Sequence, residues 1–240
     1  LVEDRQIVAS FTRFIPRRTD PALNRFLAYN DMQLDPMLEF VSTRVRDTII
    51  ERRRGYYLCR FVPGKTPAVG VCLYRTNSLR KLLEVRSDWS WADCDIPVIF
   101  SRKGMDLFAY VPQAGLYHYS YLNLPTLLHK KRRDLNSPFG FLSTFSDRQN
   151  KYVDFQDARS LAKVCFWAIF ANLVLPSVLL GLARAIRSRD FAGLLYPVVA
   201  LLTTDYILLK FLLDPKGKRI LRDAIASLAS RGWKRLWQTL

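Results

Sequence analysis

Apolar residues are spread unevenly along the chain, and the two longest apolar runs lie close to its C-terminal end. In the first run, from Leu161 to Ala185, the polar positions are Lys163, Asn172, Ser177 and Arg184. The second run extends from Phe191 to Leu213. Each run could cross a hydrocarbon core of about 30 Å as a helix that rises about 1.5 Å per residue. Because the helices of soluble proteins rarely stay apolar on every face over such a length, the pattern predicts a transmembrane hairpin over residues 158–214.

The charges on either side of the two runs predict the orientation of this hairpin. The linker of residues 184–190 is too short for anything but a tight turn, so both flanks lie on one side of the membrane. Cations crowd both flanks, at Lys151, Arg159, Lys163, Lys216, Lys218, Arg219 and Arg222. Since cytoplasmic flanks carry the excess of Lys and Arg, we expect an integral protein of the plasma or inner membrane with both termini cytoplasmic. The linker arginines, Arg184, Arg187 and Arg189, favour the opposite orientation.

A basic segment with helical periodicity follows the second run. It begins after the helix-breaking sequence Asp214-Pro215-Lys216-Gly217. Apolar residues then recur at helical spacing among arginines and lysines, at Leu221, Ile225, Leu228, Leu236 and Leu240. With two tryptophans nearby, this pattern predicts an amphipathic helix on the membrane surface within residues 215–240. The alternative is a solvated basic tail that packs against the rest of the protein.

The first 157 residues alternate between strand-like and helix-like patterns. Alternating apolar positions predict strands over residues 6–14, 56–61, 68–74, 107–111 and 115–118. Helical spacing predicts helices over residues 21–29, 36–46, 77–85, 96–103 and 124–133. The first two of these helices open with proline, which is tolerated in a first helical turn. Strands that alternate with helices predict an α/β layer fold for residues 1–157.

Composition narrows the possible partners. The chain of 240 residues has a formal net charge of +16, which would suit nucleic acid, an anionic membrane surface or a phosphorylated substrate. No recognisable nucleic-acid-binding module is present, so a nucleic-acid partner is not expected. The four cysteines, Cys59, Cys72, Cys94 and Cys165, form no CxxC pair. They are therefore predicted to be free thiols in a reducing compartment.

Three short segments of the α/β region could carry chemistry. The first, Gly70-Val-Cys-Leu-Tyr-Arg75, is a strand that leads into a basic helix start. The second, Asp88-Trp-Ser-Trp-Ala-Asp-Cys-Asp-Ile-Pro97, places the carboxylates of Asp93 and Asp95 just before a helix. The third, Ala109-Tyr-Val-Pro-Gln-Ala-Gly-Leu-Tyr-His118, closes a strand pair.

This succession resembles the second half of the catalytic domain of the family-2 glycosyltransferases. That half contains a small-residue strand ending in Tyr-Arg, a Glu-Asp-x-Asp helix start and a Pro-x-Ala-x-x-x-His strand. The resemblance covers about Leu1 to Phe139, and membrane helices commonly follow directly in that family. It implies a partial GT-A fold, of the nucleotide-diphospho-sugar transferase type, before the two transmembrane helices and the amphipathic helix. It also implies inverting transfer from a nucleotide-sugar donor to a lipid-linked or glycan acceptor.

The resemblance implies separate roles for the two aspartates. By its position in the motif, Asp93 would be the base that removes the proton from the acceptor hydroxyl as it attacks the sugar carbon. Asp95 would lie beside it as a supporting carboxylate. Ala92 stands where the family usually has an acidic residue, so one polar contact is missing. From the residues alone, the alternative is that both aspartates cap the helix that follows.

Other parts of the resemblance concern phosphate and metal. His118 ends a strand where some GT-A enzymes place a metal-binding histidine, although a single histidine is more often structural. The basic run Lys130, Lys131, Arg132 and Arg133 falls where the family carries cations, which can neutralise a diphosphate or a lipid phosphate. Its alternative is a solvated basic face near anionic lipid. A divalent cofactor, Mg²⁺ or Mn²⁺, is expected from the resemblance.

The Gln-x-x-Arg-Trp motif of polymerising members is absent here, which favours transfer of a single sugar.

The donor-binding half of such a domain would need roughly a hundred residues before Leu1. No Asp-x-Asp metal motif precedes Gly70. We therefore expect either a fragment of a longer enzyme, which the leucine at position 1 favours, or a remnant that no longer binds a nucleotide sugar. In both cases this chain by itself is expected to be inactive.

The alternative function is a non-catalytic membrane adaptor whose basic cytoplasmic domain binds partners or anionic lipid. Asp93 separates the two functions, because an adaptor would tolerate asparagine there whereas an enzyme would lose most of its turnover.

Overall fold

The chain divides into two units, each made of segments that are distant in sequence. Unit 1 comprises Leu1–Leu34 and Ser42–Leu122, and unit 2 comprises Asp35–Val41 and Asn123–Leu240. The computed structural model describes residues 4, 6–30, 32–83, 96–120, 122–136 and 158–238. The division into functional domains at residues 157 and 214 stays a prediction.

Unit 1 contains a five-stranded mixed sheet with the strand order β2-β3-β5-β1-β4. The strands are β1 (Ala9–Phe11), β2 (Ile49–Arg53), β3 (Tyr56–Arg60), β4 (Cys72–Tyr74) and β5 (Leu107–Tyr110). Strands β1 and β5 pair in parallel, and the other three pairings are antiparallel. The mixed α/β class predicted from the alternation of patterns is therefore confirmed.

Aromatic side chains fill the core beside strands β3 and β5. Phe61, Phe100 and Phe108 are fully buried, and the ring centroids of Phe61 and Phe108 are 4.2 Å apart. Each such side chain contributes about 1.5–3 kcal/mol through burial. Cys59 is also buried here, and its burial raises the pKa of the thiol to about 11. This cysteine forms no disulfide, as predicted, and neither do Cys72 and Cys165 among the described residues.

The helices of unit 1 mostly lie where helical spacing predicted them. They are α1 (Ala22–Ala28), α3 (Thr76–Leu83), α4 (Ile96–Arg102) and a 3-10 helix, Val45–Thr48. The predicted strand over residues 115–118 is wrong, because only a single bridge from Phe14 to Leu116 forms there.

Unit 2 is helical throughout its described part. It contains α2 (Pro36–Val41), α5 (Leu124–Asn136), α6 (Ala158–Asn172), α7 (Val174–Ser188), a 3-10 helix (Phe191–Leu195), α8 (Tyr196–Leu213) and α9 (Pro215–Gln238). The predicted C-terminal helix is found as α9. It begins directly at Pro215, because the Asp214 carboxylate accepts a hydrogen bond from the Lys216 N–H at 2.8 Å and caps the first turn. Its position on a membrane surface stays a prediction.

Two helices replace the single helix predicted over residues 161–185. The axes of α6 and α7 differ by 86° across a break at Leu173, whose backbone is extended. Pro176 explains the break. In a continuous helix it would lack the N–H that bonds to the Asn172 carbonyl, and its ring would collide with that carbonyl. In the first turn of α7 the same proline is tolerated, because that turn has no partner for its N–H groups.

The second apolar run is confirmed as a candidate membrane helix. The segment Phe191–Leu213, the 3-10 helix together with α8, is the one described helix that is long and apolar enough to cross a bilayer. The bent pair of α6 and α7 would add a second crossing only if both helices formed one span. Two crossings and the cytoplasmic orientation therefore stay predictions.

Candidate functional site

The predicted catalytic carboxylates, Asp93 and Asp95, lie outside the described residues. They belong to the connection between the end of α3 at Leu83 and the start of α4 at Ile96. Strand β4, which precedes α3, is packed against α4. The ring of Tyr74 in β4 stacks on Phe100 in α4, with centroids 5.6 Å apart.

Helix α4 is fixed firmly to the sheet of unit 1. Its residues Val98, Ile99 and Phe100 are buried. The Ser101 hydroxyl donates to the Val98 carbonyl at 2.8 Å and lies 3.3 Å from the Thr66 hydroxyl. Helix α4, whose first residue directly follows Asp95 in the chain, is therefore held in place by its packing.

Arg75, the basic residue of the first motif, has a structural contact in unit 1. Its Nε donates to the Ile7 carbonyl at 2.6 Å, and its Nη2 bonds to the Asp4 carbonyl. These bonds fasten the segment before β1 to the end of β4. The guanidinium thus stabilises the junction between two neighbouring strands of the sheet.

His118 lies in a polar cluster on unit 1. Its Nδ1 is 2.6 Å from Gln33 Oε1, which makes Nδ1 the protonated nitrogen because an amide oxygen can only accept. The Ser120 hydroxyl lies near both ring nitrogens, at 3.0 and 2.8 Å, and the ring packs against Phe14. The imidazole therefore has a defined orientation, although its side chain is exposed.

Gln33 organises this cluster, and the sequence did not single it out. Its side chain is only 5% exposed, and its Nε2 donates to Asn24 Oδ1 at 3.2 Å and to the His118 carbonyl at 3.1 Å. Its φ of +53° lies in the left-handed region, which is uncommon for a residue other than glycine or asparagine. The strained backbone is stabilised by the hydrogen bonds that Gln33 makes inside unit 1.

The described surroundings of His118 do not fit a magnesium or manganese site. Such ions take mainly carboxylate, carbonyl and water oxygens. The side chains that contact His118 supply an amide, a hydroxyl and a phenyl ring. Among the described residues no group of three or more His, Cys, Asp or Glu side chains could bind a metal ion.

The basic run forms part of helix α5 in unit 2, and its four cations have different surroundings. Lys131 is buried, and its Nζ lies 2.7 Å from Asp35 Oδ2 in an ion pair whose side chains are 4% and 0% exposed. Lys130 is half-buried, whereas Arg132 and Arg133 are exposed. The charge of Lys131 is therefore matched inside unit 2, and Arg132 and Arg133 are the members of the run that solvent reaches most easily.

Asp35 has a second role at the start of helix α2. Its Oδ1 accepts hydrogen bonds from the N–H groups of Met37 and Leu38, at 3.0 and 3.2 Å. An aspartate before a proline is a recognisable helix start, so this capping role had a sequence signal. Its pairing with Lys131 had none, because no spacing rule connects positions so far apart.

Further polar contacts join the helices of unit 2. Arg184 in α7 lies 2.6 Å from Glu39 in α2, and its guanidinium stacks over the Tyr196 ring at 4.7 Å. The Trp167 indole N–H donates to the Thr204 hydroxyl at 2.8 Å. These contacts connect the short helix α2 and the apolar helices into one unit.

Comparison with protein-family models, with curated proteins and with solved structures found no match.

Proposed function

We propose that this chain is the acceptor-side part of a membrane-bound, inverting family-2 glycosyltransferase. The donor would be a nucleotide sugar, and the acceptor a lipid-linked sugar or a glycan. The observation that carries the proposal is the position of Asp93 and Asp95 in the chain. Their connection runs from the end of α3, the helix that follows the edge strand β4, to the start of α4, a helix packed on the same sheet.

Asp93 would act as the general base. Its carboxylate would accept the proton of the acceptor hydroxyl while the hydroxyl oxygen attacks the anomeric carbon of the sugar. The bond between that carbon and the diphosphate oxygen would break, and the nucleoside diphosphate would leave with the bonding electrons.

Cations of α5 would bind the charged end of a substrate. A diphosphate leaving group or a lipid phosphate needs compensating positive charge, and arginine provides it with paired N–H donors. Arg132 and Arg133 suit this role best because they are exposed, and half-buried Lys130 could assist them. Lys131 would hold α5 in place and would not contact the ligand, since its ammonium is paired with Asp35.

A lipid acceptor is supported by the apolar helices of unit 2. The segment Phe191–Leu213 is long and apolar enough to cross a bilayer. A transferase attached in this way could bind an acceptor whose tail stays in the membrane, so only the reacting headgroup would have to leave the lipid surface.

The test is a transfer assay in membranes that contain the complete gene product, with a panel of radiolabelled nucleotide sugars. Substitution Asp93→Asn is expected to lower kcat by about 10²–10⁴-fold, because it removes the base without changing the shape of the side chain. Asp106→Asn is the matched control, since Asp106 pairs with Arg60 at the surface of the same unit. Full activity of Asp93→Asn, or no transfer from any donor by well-folded protein, would overturn the proposal.

The alternative is a membrane adaptor that binds anionic partners through its basic surface. The exposed arginines of α5 favour it as a second candidate. An adaptor would keep its partner when Asp93 is replaced and lose it when Arg132 and Arg133 are both replaced by alanine. The proposed enzyme would be damaged by both changes.

A further inference from the structure

Helix α7 has one face of small residues packed inside unit 2 and an opposite face of exposed apolar residues. Ser177 and Gly181 are buried, and a side chain at Gly181 would start 3.2 Å from the Gly193 carbonyl oxygen. Apolar side chains on the other face are 42–70% exposed, at Leu175, Val178, Leu179, Leu182 and Ile186. These positions form one stripe at helical spacing. A continuous apolar surface of this kind marks an interaction with another protein or with a membrane.

The C-terminal end of α7 is connected to α2. Arg184 lies in the last part of α7, and its Nη2 is 2.6 Å from Glu39 Oε2. The same guanidinium stacks over the ring of Tyr196, the first residue of α8. The end of α7 therefore lies beside α2 and the start of α8.

Chain length restricts where α2 itself can lie. The segment Asp35–Val41 leaves unit 1 after Leu34 and returns to it at Ser42. Seven residues extend at most about 25 Å, and this segment has to go out and come back. It therefore cannot reach through a hydrocarbon core of about 30 Å. If the protein is attached to a membrane, α2 lies on the same side as Leu34 and Ser42, the residues to which its segment is bonded, and Arg184, which contacts Glu39, lies there with it.

The break at Leu173 also lies close to α2. Phe40 of α2 stacks on Trp167 of α6, with ring centroids 5.0 Å apart. From Trp167 to the end of α6 at Asn172 the helix rises only about 8 Å. Helix α6 thus ends before it could cross the bilayer, and α7 leads the chain back to Arg184.

From this geometry we propose that α6 and α7 form a re-entrant hairpin and that α7 lies in the interface of an anionic lipid membrane. The exposed apolar stripe of α7 would be buried at the boundary between headgroups and acyl chains, a depth of about 5–10 Å. Arg189, exposed directly after the end of the helix, would bind a lipid phosphate. The inference rests on the membrane attachment within the proposed function, but not on the transfer reaction.

The hairpin also accounts for the positive charge that flanks α6 and α7. If Phe191–Leu213 then crosses the bilayer, the cations of α9 lie on the opposite side. A full crossing would place Arg184, Arg187 and Arg189 on the side opposite the cations that precede the helices. A re-entrant hairpin places all of them on one side, in agreement with the bias of Lys and Arg toward the cytoplasmic face. On that side, the negative charge of the lipid headgroups complements the positive charge of these arginines.

The experiment uses paired cysteines in the full chain, with the four native cysteines replaced by serine or alanine. Lys65→Cys marks unit 1 and Arg187→Cys marks the end of α7, and both residues are exposed. The double variant is reconstituted in vesicles of phosphatidylcholine and phosphatidylglycerol and treated with a membrane-impermeant maleimide polymer. Because the two sites are read on the same molecule, the result does not depend on how the protein is oriented.

If the end of α7 lies on the same side of the membrane as position 65, both cysteines of a molecule are either reached or protected, so each molecule gains two polymers or none. Mainly single additions would overturn the proposal. The control pair, Lys65→Cys with Lys103→Cys, lies wholly within unit 1 and must give two or none. A fluorophore at Leu175→Cys supplies the depth. We expect stronger quenching by lipids brominated near the headgroup than by lipids brominated near the bilayer centre, and the reverse order would contradict an interfacial helix.

The outcomes separate this inference from the proposed function. Protein that does not float with the vesicles would overturn the inference together with the membrane attachment. Single additions in protein that still transfers sugar would overturn the hairpin alone. Failure of the transfer assay, with double additions observed, would leave the hairpin in place and remove the enzyme proposal.

Discussion

The ion pair of Lys131 and Asp35 stabilises unit 2 only as long as both partners are charged and in contact. Both side chains are almost completely excluded from solvent, so each charge has lost several kcal/mol of hydration. The contact of 2.7 Å and the two N–H groups that donate to Asp35 Oδ1 offset this cost. A change to one partner therefore affects more than the interaction that is removed, because the other charge stays buried.

Substitution Lys131→Met is expected to lower the free energy of unfolding by about 3–5 kcal/mol. Methionine fills a similar volume, so the loss would come from the unpaired Asp35 carboxylate rather than from a cavity. Thermal unfolding in detergent or lipid, followed by tryptophan fluorescence, measures the change.

Arg133→Met is the control, since it removes a cation from the exposed face of the same helix and should change stability by less than about 0.5 kcal/mol. The double variant Asp35→Asn with Lys131→Met should recover much of the loss. Asparagine keeps the cap of α2 while both charges are absent. Equal effects of Lys131→Met and Arg133→Met would show that the buried pair is unimportant for stability.

At the level of single residues, the sequence shows which side chains are charged but not which of them are buried or paired. Both interpretations of the run Lys130–Arg133 treat it as a basic segment. Which of its side chains are buried depends on how α5 packs. Only that packing separates Lys131 from its exposed neighbours. Gln33 gave no signal at all, because its backbone conformation is one that sequence rules assign to glycine or asparagine.

Among the elements, α7 and the 3-10 helix Phe191–Leu195 approach so closely that only glycine fits at Gly193. A side chain at this position would start 2.7 Å from the Cα of Ala185 and 2.9 Å from the carbonyl carbon of Arg184. These are backbone atoms, so they cannot move aside as the tip of a long side chain could. The contact fixes the turn that brings the start of α8 back beside α7.

Gly193→Ala is therefore expected to destabilise unit 2 by about 3 kcal/mol, at the upper end of the cost of overpacking. The same unfolding measurement tests it. Gly70→Ala is the matched control, because no atom lies within 4 Å of the added carbon and the backbone is not left-handed. There the added methyl group should be neutral or slightly stabilising, since it restricts the unfolded chain. A Gly193→Ala protein as stable as Gly70→Ala would contradict the close approach.

Elements whose apolar residues follow a regular helical or strand spacing were predicted well. Elements in which charged residues or a proline interrupt that spacing were not. The helix starting at Ile96 and the strand Tyr56–Arg60 agree with their predicted ranges. Strand β2 was missed because its charged residues, Glu51 and Arg52, hide the alternation; they face solvent at the sheet edge, where charges discourage pairing with other chains. Pro176 was visible in the first apolar run, but hydropathy alone cannot show that a proline divides one helix into two.

For the molecule as a whole, the proposed membrane attachment could be of two kinds, electrostatic or hydrophobic. A net charge of +16 could bind the protein to anionic lipid electrostatically, and salt would screen that attraction. Burial of apolar helices in the bilayer would not be weakened by salt. The exposed apolar surface of α6, α7 and α8 favours the second kind.

We therefore expect the protein to stay with membranes in 1 M salt, where the screening length is about 3 Å, and in alkaline carbonate. Sedimentation after each wash, followed by immunoblotting, measures the retained fraction. The double variant Leu179→Gln with Leu182→Gln should reduce retention, because it adds two polar groups to the apolar stripe of α7.

The control must change the same chemistry at a place that does not enter lipid. Leu73→Gln does so, since Leu73 is 75% exposed on the edge strand β4 of unit 1. Full release of the unmodified protein by salt would mean that its charges, and not its apolar helices, attach it to the membrane. If the Leu73 variant and the α7 variant lost equal fractions from the membrane, glutamine would be acting by raising the general solubility of the protein and not by weakening the contact of α7 with lipid. Only a selective loss for α7 assigns the attachment to that helix.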